Sequence, residues 1–199
     1  MGYLINTHKS FAAAITTVSD SANAQSDNAE EFNFNGQSFV TSTDLELNSD
    51  DTNGNQWAAS IFKGLNIPSG ATITEASVQF IVKQVTLGDA PITIYGHLGN
   101  KTSFGAIQFQ ISSLSATTAS VGWDIPDWAN INDSGVNQLT PDLTTIIQEI
   151  VDRVGYNSSD SITIIYDSDE VNTTVKYSYN ANSDSSKCPV LTVNYETPF

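Results

Sequence analysis

Short apolar runs with a period of two, each ended by a turn signal, constrain this chain more than any other feature of its sequence. In Ile73–Val82 the residues Ala76, Val78 and Phe80 alternate with polar neighbours, which gives a strand one buried and one solvated face. Leu45 and Leu47 alternate with Asp44 and Glu46 in the same way. Phe32, Phe34, Phe39 and Val40 surround Asn35-Gly36, a pair that tolerates positive φ and therefore marks a hairpin. Trp57–Phe62, Ile92–His97, Ala106–Ile111, Ser120–Trp123, Ile162–Tyr166, Thr174–Tyr179 and Val190–Tyr195 read as further strands. About nine strands separated by loops rich in Gly, Asn, Asp and Ser predict an all-β, jelly-roll-like sandwich.

One segment departs from that period. Leu143, Ile146, Ile147, Ile150, Val151 and Val154 form a helical stripe, preceded by Thr140 as N-cap and Pro141 at the first helical position, and stopped by Gly155. The spacing predicts one amphipathic helix over 141–154, laid against the sandwich to cover an opening or an edge. Residues 1–31 have no regular period and too little apolar content to fold alone. They are expected to form an extended N-terminal arm, with 32–199 as the sandwich domain. Tyr3, Leu4, Ile5, Phe11 and Ile15 are the anchors through which such an arm would bind a partner. Lys9, the apolar stretch Phe11–Val18 and Ala22-Asn-Ala24 only loosely imitate a secretory leader, because threonines interrupt the apolar part. Asn6 stands where a myristoylation signal prefers Ser or Thr.

Charge and cysteine content narrow the class of partner. Among 199 residues, 22 acidic and seven basic side chains give a net charge of −15, which repels nucleic acid and anionic membrane at long range. No apolar run approaches the roughly 18 residues of a spanning helix. Cys188 is the single cysteine, so no internal disulfide and no multi-cysteine metal site can form; it is expected to be a small apolar residue beside the last strand.

Three stretches, in this order, carry a resemblance: Gly64–Phe80 with its Ile67-Pro-Ser-Gly-Ala turn, Ser120–Trp128 with Trp123-Asp-Ile-Pro-Asp-Trp128, and Thr140–Gly155. From about Asp27 to Tyr195 the chain resembles jelly-roll modules of carbohydrate-binding-module type from bacterial surface proteins. It departs from their pattern at Ile61-Phe62-Lys63, where an Arg-Phe pair is common, and at Tyr156, where Trp is common. The resemblance implies a jelly roll and a capacity for glycan binding. Of the aromatic residues Trp57, Trp123, Trp128, Tyr156 and Tyr179, Trp123 reads as core, whereas Trp128, Tyr156 and Tyr179 are the candidate glycan platform. A module that begins at a methionine and carries an arm fits a virion-surface subunit, such as a tailed-phage capsid decoration or cement protein. Its partners would then be further copies of itself and a capsid or other scaffold protein. A secreted carbohydrate-binding or adhesive module on the cell surface is the alternative.

Residues that carry chemistry are few. His8 and His97 are the only histidines, and no glycine-elbow motif accompanies a serine, so no catalytic residue is assigned and a hydrolase ranks third. Eight carboxylates and no Lys or Arg lie between Asp20 and Asp51. The loop Asp50-Asp-Thr-Asn-Gly-Asn55 offers hard oxygen ligands without the bidentate Glu of an EF-hand. A solvated acidic surface is expected there, with Asp50, Asp51 and Asn53 as the place for a structural Ca²⁺ if one binds; no other cofactor is expected.

Overall fold

A computed structural model describes residues 14–168 and 172–197. The strands run in the order β1 (Ile15–Ser21), β2 (Asn28–Phe32), β3 (Ser38–Phe39), β4 (Leu45–Leu47), β5 (Ser49–Asp50), β6 (Gly54–Phe62), β7 (Thr72–Gln79), β8 (Val82–Gln84), β9 (Ala90–Gly96), β10 (Val121–Ile125), β11 (Ile162–Ser168), β12 (Lys176–Ser178) and β13 (Val190–Glu196). Helix α1 (Thr144–Asp152) precedes β11, and a single turn of helix, α2 (Ala181–Asp184), precedes β13. All pairings are antiparallel. One sheet has the order β10-β9-β11-β6-β2-β3, with β5 hairpinned onto β6; β1-β13-β7 and β4-β12-β8 form two smaller sheets. The protein is thus an all-β sandwich.

Alternation builds the core. Ala58 and Phe62 of β6, Ile92 and Ile94 of β9, Ile164 and Tyr166 of β11, Ala76 and Val78 of β7, and Leu191 and Val193 of β13 point into one shared apolar cluster. Phe80 sits at its centre, 5.9 Å from the Trp123 ring and 5.5 Å from the Tyr166 ring. The opposite face of the large sheet is buried too. Ala29, Ala59, Ile61 and Ile165 pack there under Phe104 and Ile111. Those two residues belong to the long connection between β9 and β10, which roofs the sheet. Glu31, buried on the same face, fastens the roof: its carboxyl oxygens accept from Ile111 N at 2.7 Å, Ser112 N at 3.2 Å and Ser38 Oγ at 3.3 Å.

The roof accounts for one departure from expectation. Ala106–Ile111 alternates like a strand but forms turns, with Phe109 at φ +58° donating its N–H to Gly36 O. Ile111 faces a sheet already complete and acts as a peg rather than a ladder partner, whereas Ala106, Ile107 and Phe109 are exposed. Two strands include residues of the expected arm: β1 pairs with β13 over seven residues and β2 with β6 over five, so Ile15–Ser21 and Asn28–Phe32 belong to the sandwich. The polar sequence of β1 hid this, because only Val18 packs on the core. Tyr3, Leu4, Ile5 and Phe11 lie outside the described residues.

Helix α1 is shorter than the expected 141–154. Thr140 does not serve as its N-cap because β7 uses it, and Asp142, which precedes the helix, accepts both from β7 and from Thr144 N at 3.0 Å. Val78 N donates to Thr140 Oγ1 at 3.0 Å, and Ala76 N to Asp142 Oδ1 at 3.2 Å. With Ile73 N donating to Gln148 Oε1 at 2.8 Å and Phe80 N to Gln138 O at 2.9 Å, residues 138–148 satisfy the outer edge of β7. The helix therefore does cover an edge. Leu143, Ile146, Ile147, Ile150 and Val151 are buried, whereas Val154 lies past the helix end and is fully exposed. Gly96 permits the approach of α1 to β9, since a Cβ there would lie 2.6 Å from Ile150 Cδ1 and 2.8 Å from Ile146 Cγ2.

The roof supplies a test. Glu31→Ala leaves the N–H groups of Ile111 and Ser112 without their acceptor, at a cost of about 1–3 kcal/mol for the buried Ile111 and less for the exposed Ser112. Denaturant unfolding should show the loss, and hydrogen exchange should accelerate at Ile111 and Ser112 before it does in β6.

Candidate functional site

At the end of the large sheet where β2 and β3 form its edge, the sandwich opens into a cleft of about 490 Å³. The Asn35-Gly36 turn joins β2 to β3, with Gly36 at φ +70°, and so brings Phe32 and Phe39 to a ring separation of 4.9 Å. Adjacent acids on β2 face opposite ways. Glu30 opposes Ala58, a residue of the main core, and Glu31 opposes Trp57 beneath the roof. Glu30, Phe32, Phe39, Gln37, Gln56, Glu46, Asp50 and Asn53 all line the cleft.

Its electrostatics follow from unequal burial. Glu30 is wholly enclosed, and burial holds its carboxyl well above the usual carboxylate range despite the N–H of Glu46, which donates to Glu30 Oε1 at 2.7 Å. Burial also raises Glu46, and repulsion from Asp44, Asp50 and Asp51 adds to it, so that its pKa is pushed up to about 8. Asp50 goes the other way. Burial opposes its ionisation, but Thr52 N and Asn53 N donate to its Oδ1 at 2.9 and 2.6 Å, and a hydrogen bond shared with Glu46 adds to them. Near neutral pH the arrangement is therefore a protonated Glu46 donating to an ionised Asp50. Gln56 Nε2 donates to Glu46 O at 3.0 Å, Lys83 Nζ lies 2.9 Å from Asp44 Oδ2, and the Tyr177 hydroxyl donates to Asp51. Such a cleft can both donate and accept hydrogen bonds beside two aromatic rings.

A shallower hollow of about 290 Å³ adjoins it through Asn53 and is lined also by Asn33, Phe34 and Asn55. The Phe34 ring stacks on Phe32 at 5.8 Å with its planes 17° apart, yet the residue is 67 % exposed. An aromatic face braced from behind and flanked by amides suits a flat, polar ligand.

The expected site residues are placed unevenly. Trp128 is fully buried, donates from Nε1 to Asn137 O at 3.0 Å and packs on Phe80, so it is core and not platform. Tyr156 is buried as well, its hydroxyl donating to Ile67 O at 3.0 Å. Tyr179 is half-buried with Lys187 Nζ 4.6 Å from its ring centroid. Trp123 lies in the core as expected. Asp50, Asp51 and Asn53 do come together, but they turn on one another: Asn53 Nδ2 donates to Asp50 Oδ1 at 2.7 Å, and Asp51 accepts from Tyr177. Among the described residues no group of three His, Cys, Asp or Glu side chains is placed to hold a metal ion. His97 Nδ1 lies 3.1 Å from Ser115 O, and burial lowers its pKa. Cys188 is buried just before β13, and burial pushes its thiol up to about 11. Sequence reasoning missed Glu30, Glu46, Gln56 and Phe34. The available signal was the Glu30-Glu31 pair directly before the aromatic run Phe32-Asn-Phe34.

No protein-family model matches this chain, and no curated protein matches it.

The pH dependence of stability has a definite sign. Because Glu46 has a folded pKa above its ordinary 4.5, the folded state holds more protons than the unfolded state between pH 4.5 and about 8. Its contribution is fully present below that window and is lost as pH rises through it. Glu46→Gln should raise the unfolding midpoint at pH 8.5 and flatten its decline from pH 5, as followed by thermal melts.

Proposed function

We propose that this chain is a non-catalytic accessory subunit that works by contact between chains, of the kind that decorates or cements a virus shell. The observation that carries the reading is β1. It is a regular seven-residue strand at the border of its sheet, paired on one side only among the described residues, and residues 1–13 lead directly into it. A strand placed in this way can add a partner by main-chain hydrogen bonds, the least sequence-demanding mode of docking. The strongly acidic surface favours solubility and disfavours nucleic acid, as suits a protein that coats the outside of a particle.

The expected outcome is that the chain accompanies purified particles from its host in many copies, and that particles lacking it release their genome at a lower temperature. Deleting residues 1–13, which leaves β1 intact, should reduce its retention on particles without lowering its melting temperature. Particles that carry none of the chain would overturn the reading.

A secreted carbohydrate-binding module is the second reading, favoured by the braced, exposed Phe34 beside the carboxyl- and amide-lined cleft. It predicts retention on a polysaccharide column that Phe34→Ala reduces at least tenfold, consistent with roughly 1–3 kcal/mol for a lost aromatic platform. Retention unchanged by Phe34→Ala would remove that site from consideration.

A further inference from the structure

The two borders of the β1-β13-β7 sheet are treated differently. On β7 the outward N–H groups of Ile73, Ala76 and Val78, and that of Phe80 just past its end, all have acceptors from residues 138–148. On β1 no hydrogen bond beyond the ladder to β13 engages the backbone of Ile15 to Ser19 among the described residues. Among the described residues several usual protections of an edge are absent as well. Ile15–Ser21 contains no Lys, Arg or Pro, and its register with β13 runs over seven pairs without a bulge. Its one charge, Asp20, is engaged elsewhere, since Oδ2 accepts from Lys63 N at 2.6 Å and Gly64 N at 3.0 Å.

We infer that β1 pairs antiparallel with β1 of a second copy of this chain, centred on Val18, to make one continuous six-stranded sheet across a twofold axis. This deepens the assembly reading above, on which its biological use rests. The register follows from the strand itself. A twofold partner must place like faces together, and among registers that do so only the one centred on Val18 pairs all seven residues. It sets Val18 against Val18, Thr16 against Asp20, Thr17 against Ser19 and Ile15 against Ser21. Each copy's Asp20 then meets a hydroxyl rather than the other Asp20, so no two carboxylates face each other across the seam. Thr17 opposite Ser19 adds a hydroxyl pair on the exposed face. Ile15, 62 % exposed in one copy, gains cover from the partner strand.

The net charge of −15 on each copy opposes approach, and this repulsion is screened over a Debye length of about 8 Å at physiological salt. Pairing should therefore strengthen as salt is raised, the reverse of an association held by opposite charges.

Thr17 and Ser19 are exposed on the outer face of the sheet, so changing them leaves the core untouched. Sedimentation equilibrium on the full chain at roughly 0.05 and 0.5 M salt should show a reversible dimer, tighter at the higher salt. Thr17→Lys with Ser19→Lys sets Lys against Lys twice in the Val18 register and should weaken the dimer at least tenfold. Thr17→Lys with Ser19→Glu sets Lys against Glu twice and should restore it to within about threefold of the unaltered chain. Far-ultraviolet circular dichroism and melting temperature should stay level across the set. Deleting residues 1–13 should leave the dimer in place. A monomer at all concentrations, a double-lysine variant that pairs as well as the lysine–glutamate one, or a dimer that forms only after residues 1–13 are removed would each overturn the pairing. A monomeric chain that still loads onto particles refutes the pairing and leaves the assembly reading standing. A dimer that never accompanies particles does the opposite.

Discussion

Strand β6 is buried along both faces, and most of the architecture answers to that constraint. Its inward residues, Ala58 and Phe62, join the main core, while Ala59 and Ile61 need a second cover on the other side. A sandwich of two layers supplies only one interior. The chain meets the second requirement with the connection between β9 and β10, which lays Phe104 and Ile111 over the outer face and is fastened by Glu31. The carboxyl group there does what a third sheet would do with ladder hydrogen bonds. Its neighbour Glu30, turned the opposite way by the pleat, is enclosed without comparable donors and becomes the buried acid of the cleft. One dipeptide thus supports the roof and sets the character of the opening.

Side chains stand in for strands elsewhere. Thr140, Asp142 and Gln148 accept from the edge of β7, and Glu149 reaches across to accept from Thr118 N and Ala119 N, both at 2.8 Å. The amphipathic face of α1 buries apolar area while its polar residues close an edge that would otherwise template aggregation. With that border sealed, β1 is the border of the same sheet that is paired on one side only among the described residues.

Much of this was legible in sequence where burial is one-sided. Leu45, Leu47, Ala76, Val78 and Phe80 alternate because one face meets the core and the other water, and their strands were identifiable. The same rule failed at β1, where Thr, Ser and Asp on a sheet border carry almost no apolar signal, and at Ala106–Ile111, where of the alternating Ile107, Phe109 and Ile111 only the last is a peg in the roof. Helix α1 was identifiable from its stripe, but its start was not. Thr140 is a good capping residue by composition, and only the fold reveals that β7 uses it and that Asp142 serves β7 and the first helical N–H together. The cleft was the least legible feature. Trp128 and Tyr156 look like platforms on grounds of residue type, yet each is buried with its polar atom satisfied by a backbone carbonyl. Phe34, in contrast, is exposed because its support comes from Phe32, two positions away and folded beneath it by the hairpin.

The roof over the outer face makes a separate point about inheritance. It is held by the Glu31 carboxyl, by Phe104 and Ile111, and by backbone bonds from Phe104 N to Ser26 O and Phe109 N to Gly36 O, while Ile107 and Gln108 are exposed on it. Substitutions at those outward positions leave both layers and the fastening residues as they were. Descendants of this sequence could therefore exchange one outer skin for another, altering what neighbouring molecules meet, without a compensating change anywhere in the sheets.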